Sequence, residues 1–128
     1  MKTIIIILSL FAAIATFSAN ADVKLQDNSK ILGKWKVNAE ALGLDKEKKA
    51  LNVSWEFQSD GTLKTIGEDT LGRTNEMVIA IKYSVENGVI KKQASPGREK
   101  YEDCAVIELE ANEMILKCKG IYTFLTRK

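Results

Sequence analysis

The feature that most constrains the fold of this chain is a succession of short apolar runs that are separated by tight-turn dipeptides. Asp60-Gly61 and Asn87-Gly88 each lie between two runs in which apolar and polar residues alternate. These dipeptides favour hairpins, because asparagine, aspartate and above all glycine tolerate the positive φ that tight hairpin turns require. We therefore predict an all-β antiparallel meander, in which strands that follow one another in the chain also pair.

Eight runs have the composition and the two-residue period of a half-buried strand. In chain order they are residues 33–37, 53–58, 62–66, 77–85, 89–94, 101–109, 114–119 and 121–127. Eight antiparallel strands are enough to close an up-and-down barrel around an interior that is filled by side chains or holds one small ligand. The prediction is a small eight-stranded antiparallel barrel, with an open β-sandwich of the same strands as the alternative.

Between Asn38 and Asn52 the apolar period changes toward that of a helix. Gly43 disfavours a long helix by about 1 kcal/mol relative to alanine. We therefore predict one short helix after the first strand, beginning near Asp45 and placed to cover one end of the barrel. The residues whose spacing indicates a helical face are Ala41, Leu42, Leu44, Ala50 and Leu51.

The first 21 residues have the layout of a secretory signal peptide. A basic Lys2 precedes an apolar stretch from Ile4 to Phe17, and small residues follow at Ala19 and Ala21. A membrane-spanning helix needs about 20 apolar residues, and polar residues leave this stretch short of that, so a retained anchor helix is the less favoured alternative. We expect cleavage after Ala21 and export to the periplasm or out of the cell.

Cleavage would leave an N-terminal extension at residues 22–32 and a barrel domain at residues 33–128, a length that supports one core. The 19 basic and 17 acidic side chains of the whole chain are nearly balanced and form no basic stripe. Nucleic acids and anionic membranes require such a stripe on one face. We expect a monomer with no nucleic-acid partner and no membrane span after cleavage.

The chain contains no histidine. Histidine is the usual general base of enzymes and a frequent metal ligand, so Ser-His-Asp and Cys-His catalytic sites are excluded. The acids Glu68, Asp69, Glu102 and Asp103 show no spacing typical of a catalytic pair. We therefore expect a protein that is not an enzyme and has no catalytic residues, no metal site and no cofactor.

Gly33-Lys34-Trp35 opens the first predicted strand, and Arg127 lies at the end of the last one. This combination resembles the Gly-x-Trp signature of lipocalins and of small bacterial lipocalin-like domains, which place an arginine across the tryptophan. The resemblance implies that Gly33, Trp35 and Arg127 form a structural constellation in which the guanidinium stacks on the indole ring.

The resemblance extends over most of residues 31–127, because residues 55–62 also look like the second hairpin of small lipocalin-like domains. It departs from the larger lipocalins in length and in the lack of a long helix after the last strand. Short strands make a shallow barrel, so the resemblance leaves a packed core and a ligand pocket as open alternatives.

Cys104 and Cys118 are placed symmetrically about the turn near Ala111, so adjacent antiparallel strands would bring them together. In an exported protein this proximity predicts a disulfide, worth roughly 3 kcal/mol in the loop-entropy model. The alternative, a redox-active or metal-binding thiol pair, has no Cys-x-x-Cys spacing to support it. Cys104 has the same parity as Val106 and not that of Ile107, which indicates a β-bulge in this strand.

The function predicted first is binding of a small hydrophobic molecule through one open end of the barrel. Plain core packing is the competing interpretation, because core and pocket use the same residue types. The alternative function is a protein-binding module, either an envelope inhibitor or an accessory subunit, which would use the loops at Gly67–Asn75 and Ser95–Lys100. The residues predicted to line the ligand site are Trp55, Phe57, Ile79, Ile81 and Tyr83.

Overall fold

The structure is a computed structural model that describes residues 22–67 and 77–128. The predicted signal peptide and the segment at 68–76, which includes Glu68 and Asp69, lie outside the described residues.

The described residues form one closed barrel of eight antiparallel strands. Each strand pairs with its neighbour in the chain, and β1 also pairs with β8. The predicted all-β, eight-stranded barrel is therefore confirmed, and the open sandwich is wrong. The strands are β1 Gly33–Ala41, β2 Lys49–Phe57, β3 Thr62–Gly67, β4 Met77–Glu86, β5 Val89–Gln93, β6 Tyr101–Leu109, β7 Glu113–Cys118 and β8 Ile121–Arg127.

The helix predicted after the first strand is wrong. Strand β1 continues to Ala41, a turn follows, and β2 already begins at Lys49. A β-bulge between Val37 and Ala39 shifts the register of β1 against both neighbours. The predicted helical face is instead divided between two strands and a turn: Ala41 ends β1, Leu42 and Leu44 are exposed in the turn, and Ala50 and Leu51 belong to β2. No helix among residues 22–67 and 77–128 is long and apolar enough to cross a membrane.

The two ends of the barrel differ in what covers them. The connections at residues 58–61, 87–88 and 110–112 lie at one end, which we call the closed end because the segment 22–32 packs there. In that segment Ile31 is fully buried, and the Leu25 N–H donates a hydrogen bond of 3.1 Å to the Gly88 carbonyl. The connections at residues 42–48, 94–100 and 119–120 lie at the opposite end, which we call the open end.

The closed end is held by Arg127 and Trp35. The guanidinium carbon of Arg127 lies 4.1 Å from the centroid of the Trp35 ring, which is fully buried. Arg127 also donates hydrogen bonds to the carbonyls of Lys30 (3.1 Å), Leu32 (2.7 Å) and Ala111 (2.9 Å). The Arg127 side chain thereby links the N-terminal segment, the buried Trp35 ring and the β6–β7 turn.

Gly33 makes room for this arrangement. Its φ is +109°, and a Cβ at this position would lie 3.2 Å from a guanidinium nitrogen of Arg127. A side chain here would therefore be strained by the backbone conformation and would crowd the arginine.

Cys104 and Cys118 form the predicted disulfide, directly opposite one another on β6 and β7. The predicted β-bulge is also present, between Val106 and Glu108. Below the bulge Cys104 and Val106 are fully buried, and beyond it Leu109 packs against the core. Because of the bulge, the apolar residues on both sides of it face the interior.

Replacing Arg127 with methionine should lower the free energy of unfolding by about 2–3 kcal/mol, because the variant loses charge-assisted hydrogen bonds and a cation–π contact. Urea denaturation followed by tryptophan fluorescence measures this change. Arg98→Met, which removes an exposed arginine of the loop between β5 and β6, is the matched control. Equal stability of the two variants would contradict the role given to Arg127.

Candidate ligand-binding site

Strand register identifies the side chains that face the barrel interior. Tyr83 is buried in the core, so Ile81, Ile79 and Met77 lie on the same inner face at two-residue intervals. On the neighbouring strand Leu63 pairs with Ile81 and is itself fully buried. The inner face of β4 therefore runs from the core toward the open end.

Burial along this inner face decreases steadily toward the open end. The exposed fraction is 5% at Tyr83, intermediate at Ile81, 38% at Ile79 and 67% at Met77. The closed half of the barrel is filled by side chains, whereas the apolar side chains of β4 near the open end remain accessible. We call the accessible interior near the open end the cup, with walls that include Trp55, Ile79 and Ile81.

Phe57 and Tyr83, two of the predicted liners, form the floor of the cup. Phe57 is 1% exposed, and its ring lies edge-to-face against that of Tyr83 with centroids 5.0 Å apart. The Tyr83 hydroxyl donates to the Gln58 carbonyl at 2.7 Å and accepts a bond from the Asn28 side chain at 3.1 Å. Both aromatic residues are core residues that close the cup from below.

Trp55, on β2, lies across the barrel from β5 and is only partly buried. Its ring packs edge-to-face against that of Phe57 with centroids 6.1 Å apart, so the indole lies next to the floor of the cup. The register places Trp55 level with Thr65 and Ile79 on the two following strands. The structure thus brings three of the five predicted liners, Trp55, Ile79 and Ile81, to the cup wall.

An ion pair inside the barrel was missed in the sequence. Lys92 pairs in register with Tyr83 and with Glu102, so both charged residues face inward. The Lys92 ammonium forms a salt bridge with the Glu102 carboxylate and lies 5.7 Å from the centroid of the Trp55 ring. Each side chain of the pair is 15% exposed.

The positions of Lys92 and Glu102 within their strands do indicate that both side chains face inward. Lys92 is two residues from the fully buried Ile90, and Glu102 is two residues from the disulfide-bonded Cys104. A strict two-residue alternation therefore assigns both charges to the interior. Their residue types predict exposed side chains instead, because lysine and glutamate are almost never buried unless they are paired.

Among its neighbours Asp103, Cys104 and Cys118, Glu102 is the only one whose carboxylate or thiolate is both turned inward and free of a disulfide. Asp103 faces outward, where its carboxylate lies 3.8 Å from Lys91. Glu102 lies close to the sulfur atoms of Cys104 and Cys118, but both sulfurs are bonded to one another. Of this trio only the carboxylate could therefore coordinate a cation.

A separate groove runs along the outside of the barrel, where β4 and β5 part. Their ladder ends at Tyr83 and Lys92, and the next N–H, that of Lys82, donates to the side chain of Gln93 at 2.9 Å. The loop at 94–100 lies beside this groove, which has a volume of about 760 Å³. The groove is also lined by Ile81, so it adjoins the cup. Of the two loops that the protein-binding alternative would use, Ser95–Lys100 lies beside this groove, and the other lies almost wholly outside the described residues.

No family model matches this sequence, and no curated protein matches it either. Two solved structures share its architecture. A lipocalin-like protein from Bacteroides uniformis superposes with a TM-score of 0.65 at 17% identity, covering 78% of this chain and 100% of that protein. An uncharacterized protein from Bacteroides eggerthii gives a TM-score of 0.62 at 15% identity, covering 76% and 98%. The chain has a lipocalin-like fold.

The floor of this lipocalin-like barrel contains one perturbed titratable group. Burial raises the pKa of the Tyr83 hydroxyl above its ordinary value of 10.0, the negative charge of Asp60 adds to the rise, and the bond from Asn28 opposes it. The folded state therefore holds the phenolic proton more tightly than the unfolded state does. The resulting stabilisation is complete below pH 10 and is lost as the pH rises through the raised pKa.

Replacing Tyr83 with phenylalanine should cost about 1 kcal/mol at neutral pH, because two hydrogen bonds at the floor are lost. The variant should also lose less stability than the natural protein between about pH 9 and pH 11, since its floor no longer ionises. Urea denaturation across this range measures both effects. Tyr101→Phe, at an exposed tyrosine, is the control, and identical pH profiles for the two variants would contradict the assignment.

Proposed function

We propose that this protein binds a small hydrophobic molecule in the cup at the open end of its barrel. The observation that supports the proposal is the gradient along β4, from a 5% exposed Tyr83 to a 38% exposed Ile79 on the same inner face. Apolar side chains that line a concave surface and remain open to solvent are the usual lining of a small-molecule site.

The cup has the components that such a site requires. Phe57 and Tyr83 set its depth as a rigid, hydrogen-bonded floor. Trp55 offers an aromatic face, while Ile79 and Ile81 offer aliphatic surface on the adjoining wall. Covering this surface with a ligand contributes about 25 cal/mol for each Å² of apolar area removed from water.

The fold supports the same proposal. An eight-stranded barrel has an interior wide enough to hold one small ligand when side chains do not fill it completely. Here the two bulkiest fully buried side chains, Trp35 and Phe57, belong to the closed half. We further propose that the protein acts as a monomer. We also propose that it catalyses no reaction, since the adjacent acids Glu102 and Asp103 face opposite sides of β6 and cannot act as a catalytic pair.

We also propose that the protein acts after export. The disulfide between Cys104 and Cys118 supports an oxidising compartment. N-terminal sequencing of the protein purified from its own cells should begin at Asp22, because the small residues before it fit the cleavage site of a signal peptide. A protein that retains Met1 in the membrane fraction would contradict export with cleavage.

The ligand site is tested with two asparagine substitutions at neighbouring positions of β4. Ile79→Asn places an amide on the cup wall and should weaken binding of the uncharged fluorophore N-phenyl-1-naphthylamine about tenfold, because the amide must be desolvated without a partner. Fluorescence titration of the oxidised mature protein measures the dissociation constant.

Val78→Asn is the matched control, because Val78 is the adjacent β-branched residue, is 57% exposed and faces outward. Its affinity for the fluorophore should remain that of the natural protein. Equal weakening in both variants would mean that the fluorophore binds elsewhere. A folded natural protein that binds no fluorophore at all would overturn the proposed function and leave the protein-binding alternative.

A further inference from the structure

Glu102, which faces the barrel interior, has two lysines beside its carboxylate, one inside the barrel and one at its rim. One carboxylate oxygen of Glu102 forms a salt bridge with the ammonium of Lys92. The ammonium of Lys119 lies 3.8 Å from the other oxygen. Two lysines therefore face one carboxylate. On the outer face of the same two strands, Lys91 and Asp103 form a pair of one charge each.

A second pair of opposite charges lies on the inner face of β1 and β2. Glu40 and Lys49 are partners in the β1–β2 ladder and add one charge of each sign. Among the described residues that face the cup, the cluster at Glu102 thus retains one surplus positive charge. We call Lys92, Glu102 and Lys119 the inner charge cluster.

The inner charge cluster is not required for closing the barrel. An ion pair taken out of water contributes little net stability, and well-packed apolar residues at the same positions are often at least as stable. The neighbouring inward positions Ile90 and Cys104 are in fact apolar and fully buried. A lysine and a glutamate that are each 15% exposed inside an otherwise apolar barrel are better explained by recognition than by stability.

The position of Lys92 suits a ligand group that enters the cup. Its side chain crosses the interior from β5 and brings the ammonium within 5.7 Å of the Trp55 ring on β2. An ammonium has three N–H donors, and Glu102 holds it in place while leaving donors for a second acceptor. Lys119 lies in the turn between β7 and β8, with its side chain 54% exposed, so it can approach a bound anion from the rim.

From this geometry we propose that the ligand is an amphiphile with a single carboxylate, and that Lys92 binds the carboxylate while Trp55 and Ile81 contact the adjoining apolar part. The surplus charge of the inner charge cluster is neutralised by one carboxylate. Lys119 provides a second, solvent-accessible contact. This inference rests on the proposed function, because it names the class of molecule that the cup takes.

The test compares decanoate with decan-1-ol, which have the same chain length but differ in charge. Each compound competes with N-phenyl-1-naphthylamine for the oxidised mature protein at low ionic strength. The natural protein should bind decanoate at least about tenfold more tightly than decan-1-ol. Lys92→Met, which keeps an unbranched apolar stem and removes the charge, should bring this ratio close to one. Because each ratio is taken within one variant, a change in that variant's general affinity for apolar compounds cancels.

Two further variants keep the test independent of folding. Glu102→Gln removes the competing carboxylate and should raise the affinity for decanoate several-fold, an effect opposite in sign to damage. Lys91→Met removes the outward lysine on the same strand and should leave the ratio at its natural value. Far-UV circular dichroism of each variant shows that it is folded.

A natural protein that binds the fluorophore and decan-1-ol but shows no preference for decanoate would overturn this inference alone. Equal changes of the ratio in Lys91→Met and Lys92→Met would overturn it as well. If the natural protein binds neither the fluorophore nor either decyl compound, the proposed function itself fails. Each outcome is therefore assigned to one of the two proposals.

Discussion

The guanidinium of Arg127 joins three parts of the chain that are distant in sequence. It stacks on Trp35 and donates to the carbonyls of Lys30, Leu32 and Ala111. Without it, the last turn of the N-terminal segment would leave backbone acceptors unpaired beside a buried indole, which is costly in an apolar interior. Because the filled closed half rests on this junction, the depth of the cup depends on it as well.

Much of this architecture could be predicted from alternation and turn chemistry. The Asn87-Gly88 turn has φ values of 54° and 83°, as a tight hairpin between β4 and β5 requires. The parity conflict in β6 correctly indicated a bulge, because Cys104 and Ile107 could not both face inward on an unbroken strand. The helix predicted after β1 was wrong, however, because the spacing of Ala41, Leu42 and Leu44 belongs to the end of a strand followed by an exposed turn.

The site was harder to predict, because the same residue types form a floor and a wall. Phe57 and Ile79 are both apolar and both face inward, but their height in the barrel decides whether they pack or remain accessible. That height depends on the stagger of eight strands, which no local pattern encodes. Lys92 and Glu102 were not predicted to face inward, because charged residues are usually exposed and only the strand register places these two inside the barrel.

The pairing of β1 with β8 has a kinetic consequence. Arg127 and Leu32 are separated by 95 positions in the chain, whereas the two cysteines are only 14 apart. Contacts between distant residues form slowly, because the entropy of closing a long loop must be lost first. The β6–β7 hairpin can therefore be oxidised while the sheet is still an open ribbon, and the ribbon becomes a barrel only after its last strand has been synthesised.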